Sequence, residues 1–148
     1  MDFLGFHHRW VRGNTARSRH LTFLARWPSR QAQQHARDRI RELTDRRRLL
    51  RSVDEVVQDI NSFLLGWAGY FRYRNSSRHF VRIRTYAVLR LARFVAKSHS
   101  RSAGYGWWKL RQSPDLMGLI NLNGSVRAPR SFRPWRAWEP NADGEGRR

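Results

Sequence analysis

Candidates for catalysis are sparse in this chain. Two-metal polymerases and nucleases hold Mg²⁺ with clustered carboxylates, and here the only adjacent acids are Asp54-Glu55. Those two follow Ser52 at the spacing of a capping box, so the free N–H groups of a helix start already account for them. His7 and His8 would point to opposite faces of a strand, which makes them poor joint metal ligands. Ser76-Ser77 with His79 has the elements of a nucleophile and a base, but Asn75-Ser76-Ser77 reads better as a helix stop followed by an N-cap. The chain has no cysteine, hence no disulfide framework and no thiolate zinc site. The expectation is no catalytic residue, no metal and no cofactor.

Cations are what remains. The formal net charge is +19, and arginine supplies all of the 30 basic residues except Lys97 and Lys109. Self-repulsion on that scale is tolerable when a polyanion screens it, which favours a nucleic acid or an anionic surface as partner. Arginine adds forked phosphate contacts and stacking on bases, a combination suited to RNA. No acid occurs from Ile60 to Pro114. Within that stretch Arg78, Arg82, Arg90, Arg93 and Lys97 share roughly a third of the circumference of one helix. Arg101, Lys109 and Arg111 follow, interleaved with Tyr105, Trp107 and Trp108, as if to hold phosphates while rings stack on unpaired bases. A charge stripe is ordinarily a solvated face, and a tryptophan beside a helix ordinarily caps its core. One of Trp107 and Trp108 is expected to do the latter, but solvated faces mix their signs and this one does not. The expected RNA-binding set is Arg78, Arg82, Arg90, Arg93, Lys97, Arg101, Lys109, Arg111, Trp107 and Trp108.

These side chains need a scaffold, and residues 52 to 77 carry its clearest signal. Val53, Val56, Val57, Ile60, Phe63, Leu64, Trp67, Tyr70 and Phe71 recur at three- and four-residue steps behind the capping box, predicting a helix with one broad apolar face. Gly66 and Gly69 fall on the back of it, where they would allow close approach of another backbone. Upstream, residues 2 to 12 and 20 to 27 read as two strands around a loop. A chain that begins almost inside a strand looks like the middle of something larger. Pro28 and Ser29 open a second helix running to about Arg48, with a thin apolar line of Ala32, Ala36, Ile40 and Leu43. Asp38 and Arg41 support it at i,i+3 spacing. Residues 77 to 99 form a third helix with a core stripe of Phe80, Ile83, Ala87, Leu91 and Phe94. Residues 100 to 111 read as a flexible basic loop. Residues 113 to 132 suggest a turn and a short strand, and the Pro/Gly-rich end suggests disorder. The N-terminus has no signal-peptide h-region and no run approaches a membrane span, so the default location is cytoplasmic.

At GWAGYFRYRNSSRHF the chain resembles the group II intron maturase-specific domain, the X or thumb region of group II intron reverse transcriptases. Leu64 or Leu65, Gly66, Trp67, Tyr70, Phe71 and Arg72 match that family's L-x-G-W-x-x-Y-F-R helix. Residues 28 to 61 are similar to its first thumb helix and link, DFLGF at 2 to 6 to the last palm segment, and LMGLINLNGSVRAPRSF to the tail of many bacterial members. The likeness spans roughly residues 2 to 132. It lacks the fingers and palm with their Tyr-x-Asp-Asp metal site, and it lacks a Cys/His endonuclease module. The resemblance implies a mainly α fold: an N-terminal β-hairpin (1–27), a three-helix thumb-like bundle with its basic aromatic loop (28–111), and an irregular, partly disordered basic tail (112–148). Gly66, Trp67, Tyr70 and Phe71, although the family hallmark, are expected to hold that bundle together.

The implied function is that of an RNA-binding maturase module, taking group II intron RNA as partner, assisting its folding and splicing, and not polymerising by itself. An alternative is the thumb of a split or truncated reverse transcriptase, active only with a separate fingers–palm chain. A third is an inert remnant of a mobile genetic element. A general DNA-binding helical protein is the least supported, since nothing marks a recognition helix.

Overall fold

A computed structural model describes residues 1–72, 75–113, 115–122 and 124–126. The N-terminal sheet has three antiparallel strands, β1 (Asp2–Phe3), β2 (Phe6–Arg12) and β3 (Thr22–Pro28), in the order β1-β2-β3. The expected first strand is split by Leu4 and Gly5, both at positive φ (48° and 77°). Positive φ at two successive central residues makes the tight turn whose twist suits a hairpin, so Phe3 pairs with Phe6 and Asp2 with His7. β2 and β3 run in register from Phe6 opposite Pro28 to Arg12 opposite Thr22.

Pro28 ends β3 and does not enter the helix; its carbonyl accepts a 2.8 Å hydrogen bond from the Gln33 side chain. Ser29 is the N-cap of α1 (Arg30–Leu43), accepting from the Ala32 N–H at 3.1 Å. Ala36, Ile40 and Leu43 are buried along the predicted line. The helix stops five residues short of Arg48, because Asp45 caps a separate 3₁₀ turn over Arg46–Arg48 by accepting from the Arg47 N–H. The predicted capping box opens α2 (Val53–Phe71): the Ser52 hydroxyl accepts from Glu55 N–H, and the Glu55 carboxylate from Ser52 N–H. Its face buries Val56, Val57, Ile60, Leu64, Trp67 and Phe71, while Tyr70 stays half exposed.

α3 (Ser77–Ser98) buries the whole predicted stripe from Phe80 to Phe94. Its C-terminus closes in a Schellman arrangement: Ser100 takes φ 52°, its N–H donates to Lys97 O, and Arg101 N–H donates to Ala96 O. Ser100 thus occupies the left-handed position that glycine usually fills.

The expected three-helix bundle has a fourth member. Residues read as a flexible loop form α4 (Ala103–Gln112), packed along α3. Gly104 and Gly106 argue against a helix on propensity, and packing overrides them. A Cβ at Gly106 would lie 2.0 Å from Ala92 O and 3.1 Å from the Ala96 methyl, so the glycine lets the two helices meet backbone to backbone. Close approach had been expected of Gly66 and Gly69. Among the described residues, a Cβ at either would meet nothing within 4 Å.

Beyond α4 the described residues make a 3₁₀ turn at Leu116–Gly118 and then an extended stretch that joins no sheet, in place of the expected short strand. That stretch closes the core. Leu119 and Leu122 are buried, the Asn61 side chain bonds both Gly118 O and Ile120 N–H at 2.8 Å, and Arg84 donates to Ile120 O. The expected disorder of residues 133–148 lies outside the described residues. Among the described residues no helix is long and apolar enough to cross a membrane.

Candidate nucleic-acid interface

Helical geometry puts Arg78, Arg82, Arg93 and Lys97 within about 100° of one another around α3, away from the stripe that faces the core. All four are exposed. No acid occurs in the stretch of sequence that carries them. Among the described residues, the ion pairs of arginine lie in the N-terminal half: Asp38 with Arg41, Glu42 with Arg39, and Asp59 with both Arg48 and Arg51. Exposed pairs such as Arg39–Glu42 contribute only about 0–1 kcal/mol each to stability, but they cancel local potential. Among the described residues, none of the four α3 cations forms an ion pair. Arg78 with Arg82, and Arg93 with Lys97, stand one helical turn apart, within a Debye length of about 8 Å at physiological salt, so the fields add within each pair, and about 16 Å of helix separates the two pairs.

Arg90 belongs to the same stripe by sequence and is used differently. Its guanidinium is half-buried, with Nε donating to Thr44 Oγ1 at 3.0 Å and Nη2 donating to Arg41 O at 3.4 Å. Thr44 Oγ1 in turn donates to Ile40 O at 2.8 Å. Arg90 therefore ties α3 to the C-terminal end of α1, where unpaired carbonyls favour a cation.

Around α4 the predicted residues separate. Trp107 is half-buried and packs on the core; Trp108 is 53% exposed. Trp108 sits 5.7 Å from the Tyr105 ring, and Tyr105 meets His99 edge-on at 5.6 Å. Lys109 is half-buried and Arg111 exposed. They are two residues apart on a helix, about 200° round, so they do not form one cluster. Arg101 is exposed just past the α3 cap. Tyr105 was read with Trp107 and Trp108 as a stacking ring, whereas His99 was not expected there. The i,i+3 pairing of Tyr105 with Trp108 is what a loop assignment conceals.

Of the GW–YF residues, Trp67, Tyr70 and Phe71 make contacts within the fold, while Gly66 faces open space. Trp67 contacts Phe71 and Phe80 (5.0 and 5.4 Å between centroids), and Phe71 meets Phe6 at 4.8 Å. Tyr70 reaches back to donate to Leu4 O at 2.9 Å, pinning the hairpin turn onto α2. At the same end of the sheet, where Trp27 pairs with His7, His79 stacks on Trp27 with 9° between the ring planes. Burial, and secondarily the Arg82 guanidinium, lowers the His79 pKa from its usual 6.5.

No curated protein and no solved structure matches this chain. A family does match. Residues 33–113, more than half of the chain, fit the group II intron, maturase-specific domain, from the second turn of α1 through the first residue after α4. The matched segment holds the acid-free face of α3, the Arg90 tie and the buried Trp67 cluster, and leaves the hairpin outside. The chain belongs to the group II intron maturase-specific domain family, and that membership ties it to the splicing of group II introns.

Proposed function

We propose that this chain binds structured group II intron RNA through the outer face of α3 and so favours the folded, splicing-competent form. The observation that carries the reading is the set of four exposed cations, Arg78, Arg82, Arg93 and Lys97, on one side of a helix in a segment with no acid. Each phosphate contact releases condensed counterions, so affinity falls steeply with salt, with a log–log slope of about −0.7 to −0.9 per contact. Phosphate geometry differs between a folded RNA and a random one, and a rigid row of cations spaced along about 28 Å of helix responds to that difference. The test is equilibrium binding to the nearest group II intron RNA over a salt series, with a scrambled-structure RNA of equal length as control. Tighter binding to the folded intron supports the reading. Equal, salt-sensitive binding to both RNAs reduces it to electrostatics.

A second reading has its own observation. Phe3, Leu4, Trp10 and Leu21 on the hairpin are each more than half exposed. Phe3, Leu4, Phe6, His8, Arg26, Gly69 and Tyr70 line an open, mostly apolar hollow of about 540 Å³. An apolar hollow with Phe3 and Leu4 exposed at it fits a protein partner, and a separate fingers–palm chain of a split reverse transcriptase is the partner this reading names. A reading frame next to this one encoding Tyr-x-Asp-Asp, whose product co-purifies with the chain, would support it. Loss of co-purification on Phe3→Glu would place the contact on the hairpin.

A further inference from the structure

The cations of α3 account for phosphate binding, but not for the rings at the α3–α4 corner. On α4, Tyr105, Trp108, Lys109 and Gln112 fall at i, i+3, i+4 and i+7, one outward stripe opposite Gly106 and Leu110, which face α3. The corner is held firmly. Gly106 seats α4 on the α3 backbone, Leu110 is fully buried, and the Schellman closure at Ser100 fixes the turn between the helices. His99, Tyr105 and Trp108 therefore form a ladder of rings on a rigid base, at 5.6 and 5.7 Å between successive centroids. The outermost ring is the most open, since Trp108 is 53% exposed while Trp107 turns inward. A tryptophan face left in water beside a second ring, with Arg101 exposed close by in sequence and no acid on α4, suits a planar, electron-rich ligand carrying negative charge.

The geometry points to a stacking site for an unpaired nucleotide of RNA, formed by Trp108 and Tyr105, with the adjoining phosphate on Arg101 and Lys109. The inference rests on the RNA-binding reading of this domain and names what this corner takes: a single-stranded loop or bulge, where the α3 face takes backbone phosphates. Stacking of this kind is tolerant of base identity, because every base has a π face. A duplex keeps its bases stacked inside and offers the ladder nothing.

The test compares the chain with its Trp108→Ala and Trp108→Phe variants on two probes, an oligoadenylate of about ten nucleotides and an RNA duplex of matched phosphate number. The expected result is a loss of about 5- to 100-fold for Trp108→Ala on the oligoadenylate. Affinity for the duplex and the salt slope should be unchanged, and Trp108→Phe should recover most of the loss. In addition, an oligonucleotide carrying 5-iodouridine should photocrosslink to Tyr105 or Trp108, as mapped by mass spectrometry. Equal losses on both probes, no loss on either, or crosslinks confined to α3 would each overturn the stacking site. The broader reading is judged separately, by parent-chain binding to folded against scrambled intron RNA. A parent that discriminates those RNAs while Trp108→Ala binds oligoadenylate normally sinks this inference alone. A parent that does not discriminate, with a selective Trp108→Ala loss, leaves the stacking site standing without the maturase reading.

Discussion

α2 and α4 are built from the same small vocabulary, GWAGYF in one and GYGWW in the other, and use it in opposite ways. In α2 the glycines face open space and the tryptophan is buried; in α4 Gly106 is buried against a neighbouring backbone and Trp108 is exposed. The segment that marks the family thus serves as core. The less distinctive segment supplies both a backbone-to-backbone helix contact and the open ring. The contrast teaches that glycine and tryptophan have no fixed meaning on a helix. What decides is whether the neighbouring helix presents small residues, as α3 does at Ala92 and Ala96, or large ones, as it does at Phe80 for Trp67.

Stability measurements by urea denaturation can break that comparison. The largest effect is expected at Trp67: Trp67→Ala should cost about 3–5 kcal/mol through lost burial and a cavity, whereas Trp108→Ala should stay within about 0.5 kcal/mol. Similar losses at both would mean that α4 is not seated as described. Next in size, Gly106→Ala should destabilise by about 1–3 kcal/mol or more, because its methyl group meets backbone that cannot give way. Gly66→Ala should raise stability by about 0.5–1 kcal/mol through helix propensity alone. A neutral Gly106→Ala would contradict the close α3–α4 contact.

Arginines of α3 sharpen the comparison on a smaller scale. Arg90→Ala should cost about 1–2 kcal/mol, since it removes hydrogen bonds from a charged group to Thr44 and Arg41. Arg93→Ala should leave the denaturation midpoint nearly unchanged while lowering the salt slope of RNA binding by about 0.9. The reverse pattern would exchange their roles. The mildest effect is expected from pH. His79 has a lowered pKa when folded, so the unfolded chain binds its proton first as pH falls through 6.5. Stability is therefore full above that point and declines as pH drops from 6.5 toward the folded value. Comparing denaturation midpoints from about pH 7.5 to pH 5 should show a shallower slope in His79→Gln. An unchanged slope would remove His79 as a contributor.

How much of this was legible in the sequence varied with how local the cause was. The Ser52–Glu55 box, the apolar face from Val56 to Phe71 and the α3 stripe are short-range patterns, and the structure has them where periodicity puts them. α4 was hidden because its glycines mimic a loop, and the contact that makes it a helix comes from Ala92, fourteen residues upstream of Gly106. The role of Arg90 was hidden for the same reason. Its place on the stripe matches its neighbours, and only the arrival of the α1 C-terminus, far back in the chain, binds it to Thr44. The packing of Leu119 and Leu122 likewise depends on Asn61 and Arg84, which hold that stretch against the bundle.

The central claim is that exposed α3 cations serve the splicing of a group II intron. The most direct test is the splicing rate of the nearest group II intron RNA, at a Mg²⁺ concentration too low for unassisted reaction. The chain would be compared with a variant in which Arg78, Arg82, Arg93 and Lys97 are all changed to alanine. Those four side chains are exposed and make no ion pair among the described residues, so the variant should keep its helical content. The account predicts that the parent chain accelerates splicing and the folded variant does not. Equal acceleration by both, or none by the parent, would contradict it.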